Sequence, residues 1–160
     1  MANWCSNIMI YSGAKAPELF ELFRNLKKES EEESCGVLPK IEGINLQQGK
    51  YFFDLDIADN QNDFLQVRFD TKWTAPLEEL LAIAKRYDGQ YTIEVEELGN
   101  CIYGKIFITS KGGEPDYKEI YLSDEVFEAI EETEDCTYRY KGIAYDSEFD
   151  ILEQELNKLI

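Results

Sequence analysis

The chain has 160 residues, 44% of them hydrophobic and 13% aromatic, which suits one domain, or one small domain with an extension, whose core needs no disulfide or metal staple. Its 33 acids against 16 bases leave a net charge of −17, which argues against a nucleic-acid or anionic-membrane surface. The absence of histidine removes Ser-His-Asp and Cys-His catalysis and His-ligated zinc.

In chain order, Cys5 to Tyr11 reads as a strand, and Gly13 breaks it ahead of a helix that enters through Ala16-Pro17 with Leu19, Leu22, Phe23 and Leu26 as its apolar stripe. Glu29 to Glu33 puts negative charge at that helix's C-terminus, an unfavourable place that predicts fraying. Ser34 to Gly49 reads as a loop. Tyr51, Phe53, Leu55 and Ile57 alternate as a second strand, Asp59 to Asp63 supplies a turn, and Leu65, Val67 and Phe69 alternate as a third. Thr74 is the expected N-cap of a second helix, with Pro76 in its first turn and Leu77, Leu80, Leu81 and Ala84 as its stripe. Tyr91, Ile93 and Val95, and then Ile102, Ile106 and Ile108, mark two more strands around a Gly99-Asn100 turn.

The order βαββαββ, with Ala-Pro opening both helices, predicts an α+β, ferredoxin-like sandwich: a mostly antiparallel sheet covered on one face by two helices. The expected division is residues 1–113 for this domain and 114–160 for an acidic α/β extension docked on it. The extension carries 15 acids and 4 bases, a net −11, yet is patterned for folding. Tyr117 to Leu122 and Thr137 to Tyr145 read as strands, Val126, Phe127 and Ile130 as one side of a helix, and Phe149, Leu152, Leu156 and Leu159 as the stripe of a last helix.

Three stretches carry a resemblance: Asn3-Trp4-Cys5-Ser6-Asn7, Phe69-Asp70-Thr71-Lys72-Trp73-Thr74-Ala75-Pro76, and Gly99 followed by Tyr103-Gly104. Over roughly residues 1 to 110 the chain resembles the YubB-like (Api92-like) ferredoxin-like domain family of phages, plasmids and related mobile elements. The resemblance implies a fold and a mobile-element setting, and brings no activity, cofactor or catalytic residue with it. The 34–50 stretch departs from the family's commoner pattern.

Alternation places Asp54, Asp56, Asp70, Glu94 and Glu96 on the sheet face away from the helices, with Arg68 and Lys105 as the bases among them. RNA binders of this topology offer phosphate contacts there, but an acidic face without an RNP1 pattern would set carboxylates against phosphates. The face is therefore expected to be solvated, covered by the extension, or matched to a basic protein partner. Asp54 to Asp63 lacks a third ligand at Ala58 and a closing Glu, so it reads as a hairpin and not a calcium loop. Asp124 to Asp135 holds seven acids in twelve residues. Glu125, Glu128, Glu131 and Glu132 there form either a solvated outer face or a row of carboxylates that imitates phosphates toward a nucleic-acid-binding protein. Trp4 and Trp73 are expected to pack in the core. Cys5, Cys35, Cys101 and Cys136 form no CxxC and are expected as free thiols, Cys5 and Cys101 as small buried hydrophobes.

Taken together, the residues lead to a non-enzymatic acidic binding protein with no cofactor, metal or membrane contact, acting on a host or defence protein. A structural or self-assembling module, with a homodimer through the sheet or the extension, is the alternative. Met1-Ala2-Asn3-Trp4 carries no basic or long apolar leader pattern and no apolar run approaches the roughly 18 residues of a membrane span, so a cytoplasmic location is expected.

Overall fold

The computed structural model describes residues 3–44, 46 and 49–160. Met1 and Ala2 of the opening segment, and Asn45, Gln47 and Gln48 of the expected loop, lie outside the described residues. The first eight long elements are β1 (Trp4–Ser12), α1 (Ala16–Glu33), β2 (Phe53–Gln61), β3 (Phe64–Lys72), α2 (Leu77–Arg86), β4 (Gly89–Glu97), β5 (Ile102–Lys111) and β6 (Glu114–Tyr121). A short α3 (Asp124–Glu128), three small strands β7 (Glu131–Glu132), β8 (Tyr138–Tyr140) and β9 (Ile143–Tyr145), and α4 (Glu148–Asn157) follow.

The long strands form one antiparallel sheet in the order β2-β3-β1-β4-β5-β6. Its first four positions are those of a ferredoxin-like βαββαβ unit, and β5 and β6 widen the sheet beyond β4. The composition changes at Gly113, but the sheet does not stop there, because β6 pairs with β5 from Lys111↔Glu114 to Gly104↔Tyr121 without a break. Small strands β7 to β9 make a separate three-stranded sheet.

Period-two alternation builds the main core. Cys5, Met9 and Tyr11 of β1, Leu65, Val67 and Phe69 of β3, Tyr91, Ile93 and Val95 of β4, and Ile106 and Ile108 of β5 point to one side. They share a cluster with Leu19, Phe23 and Leu26 of α1, spaced i, i+4 and i+7, and with Leu80, Ile83 and Ala84 of α2. Pro17 sits in the first turn of α1, where its missing N–H costs nothing, and Ser34 ends the helix in a left-handed cap at φ 51°. The helix runs through the acidic stretch to Glu33.

Two turns are tied at one end of this core by Tyr11, whose hydroxyl donates to the Asp88 carbonyl at 2.7 Å and accepts from the Lys15 N–H at 3.1 Å. Tyr11 and Tyr91 meet edge to face at 4.8 Å. The expected loop holds more structure than its sequence suggested: Val37 bridges Phe52 and Ile41 bridges Ile44, with Val37 and Ile41 buried in the core. Nor is Thr74 the cap of α2. Pro76 immediately precedes the helix, and Thr74 instead accepts through its carbonyl from the Thr71 hydroxyl at 2.8 Å. The turn between β2 and β3 is confined to Asn62 and Asp63, so Asp59 to Gln61 belong to the strand.

A second core lies on the opposite side of the sheet. Ile120 and Leu122, with Tyr103 and Phe107 from β5, pack against Leu152 and Leu156 of α4 and against Val126, Phe127 and Ile130. Ser147 caps α4 by accepting from the Phe149 N–H at 3.1 Å. Ile151, Leu152 and Leu156 form the buried stripe of α4, whereas Phe149 and Leu159 are exposed. The Thr137 to Tyr145 run is split into β8 and β9 by a turn at Lys141 and Gly142, both at positive φ, the backbone that a two-residue hairpin loop requires.

Candidate acidic interface

On the sheet face away from α1 and α2, register sets polar side chains in rows. Ser6 lies between Asp70 on β3 and Glu96 on β4, and Glu96 is followed by Tyr103 on β5. One step along, Ile8 lies between Arg68 and Glu94, and Glu94 is followed by Lys105. Lys105 Nζ meets Glu94 Oε1 at 3.1 Å, a cross-strand pair with the lysine four-fifths buried. Glu153 and Leu156 of α4 close one side of this face, leaving a cleft of about 220 Å³ floored by Ser6, Ile8 and the Glu94 and Glu96 strand.

Electrostatics differ along the rows. Burial raises the Glu96 carboxyl above its ordinary value, and no ion pair among the described residues compensates it. Asp70 is raised in the same way, by burial first and then by the charge of Asp54. Two carboxylates are thus held partly out of water with no ion-pair partner among the described residues, while Glu94 beside them is paired with Lys105. Such a surface favours an incoming cation, because a guanidinium or ammonium would restore what burial removed.

Asp56 keeps to that face at its β2 edge, opposite Arg68 in register, whereas Asp54 falls inside a register shift, with its charge still close enough to act on Asp70. Strand β2 shifts register twice, between Phe53 and Asp56 and between Ile57 and Asp59, so simple alternation fails along it. Asp54 sits at the first irregularity with φ 47° and borders a cleft shared with Lys27, Glu31 and Cys35 of the α1 side. Asp56 pairs with Lys27 of α1 at 2.9 Å, and that hydrogen bond lowers its carboxyl below the ordinary value.

Glu125 and Glu128 lie on α3, and Glu131 and Glu132 form β7. All four are exposed, and none has a salt-bridge partner among the described residues. Val126, Phe127 and Ile130 hold this segment on the second core, on the same side of the sheet as Glu94 and Glu96.

Packing and polarity also bring the opening and second motifs together, which spacing could not show. Asn7 is fully buried and its Nδ2 donates to the Cys5 carbonyl at 2.9 Å and to Thr71 Oγ1 at 3.0 Å, while the Trp73 N–H donates to the Asn3 carbonyl at 3.0 Å. Trp4 and Trp73 themselves are not core residues, being 47% and 51% exposed. Trp4 meets Phe53 edge to face at 4.9 Å with Lys72 Nζ over both rings, and Trp73 stands at φ 74° in the turn after β3. Their amphipathic rings suit a rim as well as a core, and the turn geometry points Trp73 outward.

Cys5 is buried, and burial pushes its thiol up to about 11, the state of an inert thiol and not a nucleophile. Cys101 is half-buried, and Cys35 and Cys136 are exposed; all four are free. Among the described residues no three His, Cys, Asp or Glu side chains gather as a metal-ligand set, and no helix is long and apolar enough to cross a membrane.

The family model for the ferredoxin-like domain in Api92-like protein matches residues 52–140, more than half of the chain. The chain belongs to the Api92-like family. The Api92-like match opens just ahead of β2 and closes in β8, so it takes in the Phe69–Pro76 motif and the Gly99 and Tyr103-Gly104 hairpin. It also crosses residue 113 into the acidic segment, and leaves the Asn3–Asn7 motif outside. No curated protein and no solved structure matches the chain.

Proposed function

We propose that this Api92-like chain is a non-enzymatic cytoplasmic binding protein that engages a basic protein through its acidic side. The observation that carries the proposal is the pair of partly buried, unneutralised carboxylates Asp70 and Glu96 on the open sheet face. This reading takes α1 and α2 as the cover of one face and residues 114–160 as an acidic extension that enlarges the other. Glu125, Glu128, Glu131 and Glu132 then continue the negative surface beyond the α4 edge. A host or defence protein with a nucleic-acid-binding groove has the matching charge, and the spaced carboxylates would imitate phosphates toward it, in keeping with a mobile-element origin.

Affinity capture from bacterial lysate tests the proposal. The wild-type chain should retain a basic, nucleic-acid-binding protein, and reversal of Glu125, Glu128, Glu131 and Glu132 to lysine should release it while the thermal melt stays cooperative. Retention of the same protein by the reversed chain would overturn the assignment of this surface.

A further inference from the structure

The two edges of the main sheet differ in kind. At the β2 edge, two register shifts and the left-handed backbone of Asp54 interrupt the line of backbone groups, the usual protection against edge-to-edge pairing. At the other edge, β6 is straight in register over all of its length, and among the described residues nothing pairs with its outer side. Tyr117 and Tyr121 on it are 47% and 37% exposed, and Asp116, Lys118 and Glu119 are exposed with them.

The orientation of the free groups follows from one bond. The Leu122 N–H donates to the Tyr103 carbonyl at 3.0 Å, so even-numbered residues of β6 turn their backbone groups toward β5. Odd-numbered residues, Pro115, Tyr117, Glu119 and Tyr121, therefore turn theirs outward. An antiparallel copy of the same strand can use them only in registers that set odd residues opposite odd residues. Registers centred on Asp116, Lys118 or Glu119 bring a residue opposite its own like charge. The register centred on Tyr117 instead sets Asp116 of each copy opposite Lys118 of the other, at the closer, non-hydrogen-bonded positions where side chains meet.

We propose that β6 is a homodimerisation edge, pairing antiparallel with β6 of a second copy of this chain about a two-fold axis at Tyr117. The two Tyr117 residues exchange both backbone hydrogen bonds, and each Glu119 N–H reaches the Pro115 carbonyl of the second copy. Pro115 has no N–H to return, which keeps the ladder short and centred on Tyr117. The sheets of the two copies then join edge to edge. This surface is separate from the carboxylates proposed to meet a basic partner, and its salt dependence has the opposite sign. Two chains of −17 repel, so added salt strengthens self-association while it weakens capture of a cationic protein.

The experiment is sedimentation equilibrium over a concentration and salt series on the full chain and three variants. The wild type should form a dimer that tightens as salt rises from low to moderate. Asp116→Lys lowers the net repulsion yet sets lysine opposite lysine, and should weaken the dimer by about tenfold. The exchange Asp116→Lys with Lys118→Asp should restore it. Tyr117→Pro, which removes an outward N–H and no bond to β5, should leave a folded monomer. A wild type that stays monomeric at every concentration, a dimer indifferent to Tyr117→Pro, or an exchange variant no tighter than Asp116→Lys alone would overturn the proposal.

Discussion

Asn7 on β1 and Thr71 on β3 are joined by a buried hydrogen bond of 3.0 Å, and Thr71 passes it on by donating to the Thr74 carbonyl at 2.8 Å. Through this chain the opening motif fixes the turn that carries Trp73 at positive φ and leads into α2. A buried network of this kind is costly to break, because the groups left behind lose partners and gain no water. Asn7→Ala should therefore lower the unfolding free energy by about 1–3 kcal/mol, measured by urea denaturation. A loss within error of zero would mean that the network does not hold the turn.

Asp70 and Glu96 predict stability with an unusual sign. Each carboxyl is raised in the folded chain above its ordinary value of 3.8 or 4.5, so its charged form is disfavoured by folding. Above the folded value the penalty is fully present; as pH falls below the ordinary value it vanishes. Asp70→Asn and Glu96→Gln should raise the melting temperature at pH 7, with the gain shrinking toward pH 4. If these sites serve a basic partner, the same variants should weaken capture, so that stability and binding move in opposite directions.

Asp88 has the reverse sign. Its carboxylate accepts from the backbone N–H groups of Gly113 at 2.9 Å and Gly112 at 2.7 Å and from the Ser110 hydroxyl at 3.0 Å, and these bonds lower its value below 3.8. The stability it lends is present above 3.8 and is lost as pH falls through the lower folded value. Asp88→Asn should flatten the acid limb of the stability curve below pH 4 relative to wild type, followed by circular dichroism. Parallel acid limbs would show that the β5–β6 turn does not depend on this carboxylate.

Leu152 is fully buried between α4 and the β5–β6 part of the sheet. Truncation leaves a cavity as well as removing apolar contact, so Leu152→Ala should cost about 2–5 kcal/mol. Hydrogen exchange should show the loss spread over α4 and β6 together, since they share one core. Exchange confined to α4 would mean that the helix opens independently of the sheet.

Alternation and helical stripes made most of the sheet legible in the sequence. Met9 and Tyr11, Val67 and Phe69, and Ile93 and Val95 show period two plainly, and Leu19, Phe23 and Leu26 show the helical period. Strand β2 was legible as a strand, and Asp56 lies opposite Arg68 as alternation implies, but the register shift that takes Asp54 out of the alternation carries no compositional mark. Of the acidic residues singled out, Asp70, Glu94 and Glu96 meet on the open face because β3 and β4 both pair in regular register with β1. The network of Asn7, Thr71 and Thr74 was hidden, since its partners lie 64 residues apart and are joined only by strand pairing. The tryptophans misled for a different reason: apolar bulk signals burial, but a residue at a strand end or in a left-handed turn is placed by its backbone.

Competition between DNA and the acidic side for one captured protein is the decisive measurement of binding through that side. The partner retained by the wild-type chain would be titrated with duplex DNA, and its release compared between wild type and the variant with Glu125, Glu128, Glu131 and Glu132 reversed to lysine. DNA should displace the partner from the wild-type chain, rising salt should do the same, and the reversed chain should hold none of it. A partner held equally by both chains, and indifferent to DNA and salt, would contradict binding through the acidic side.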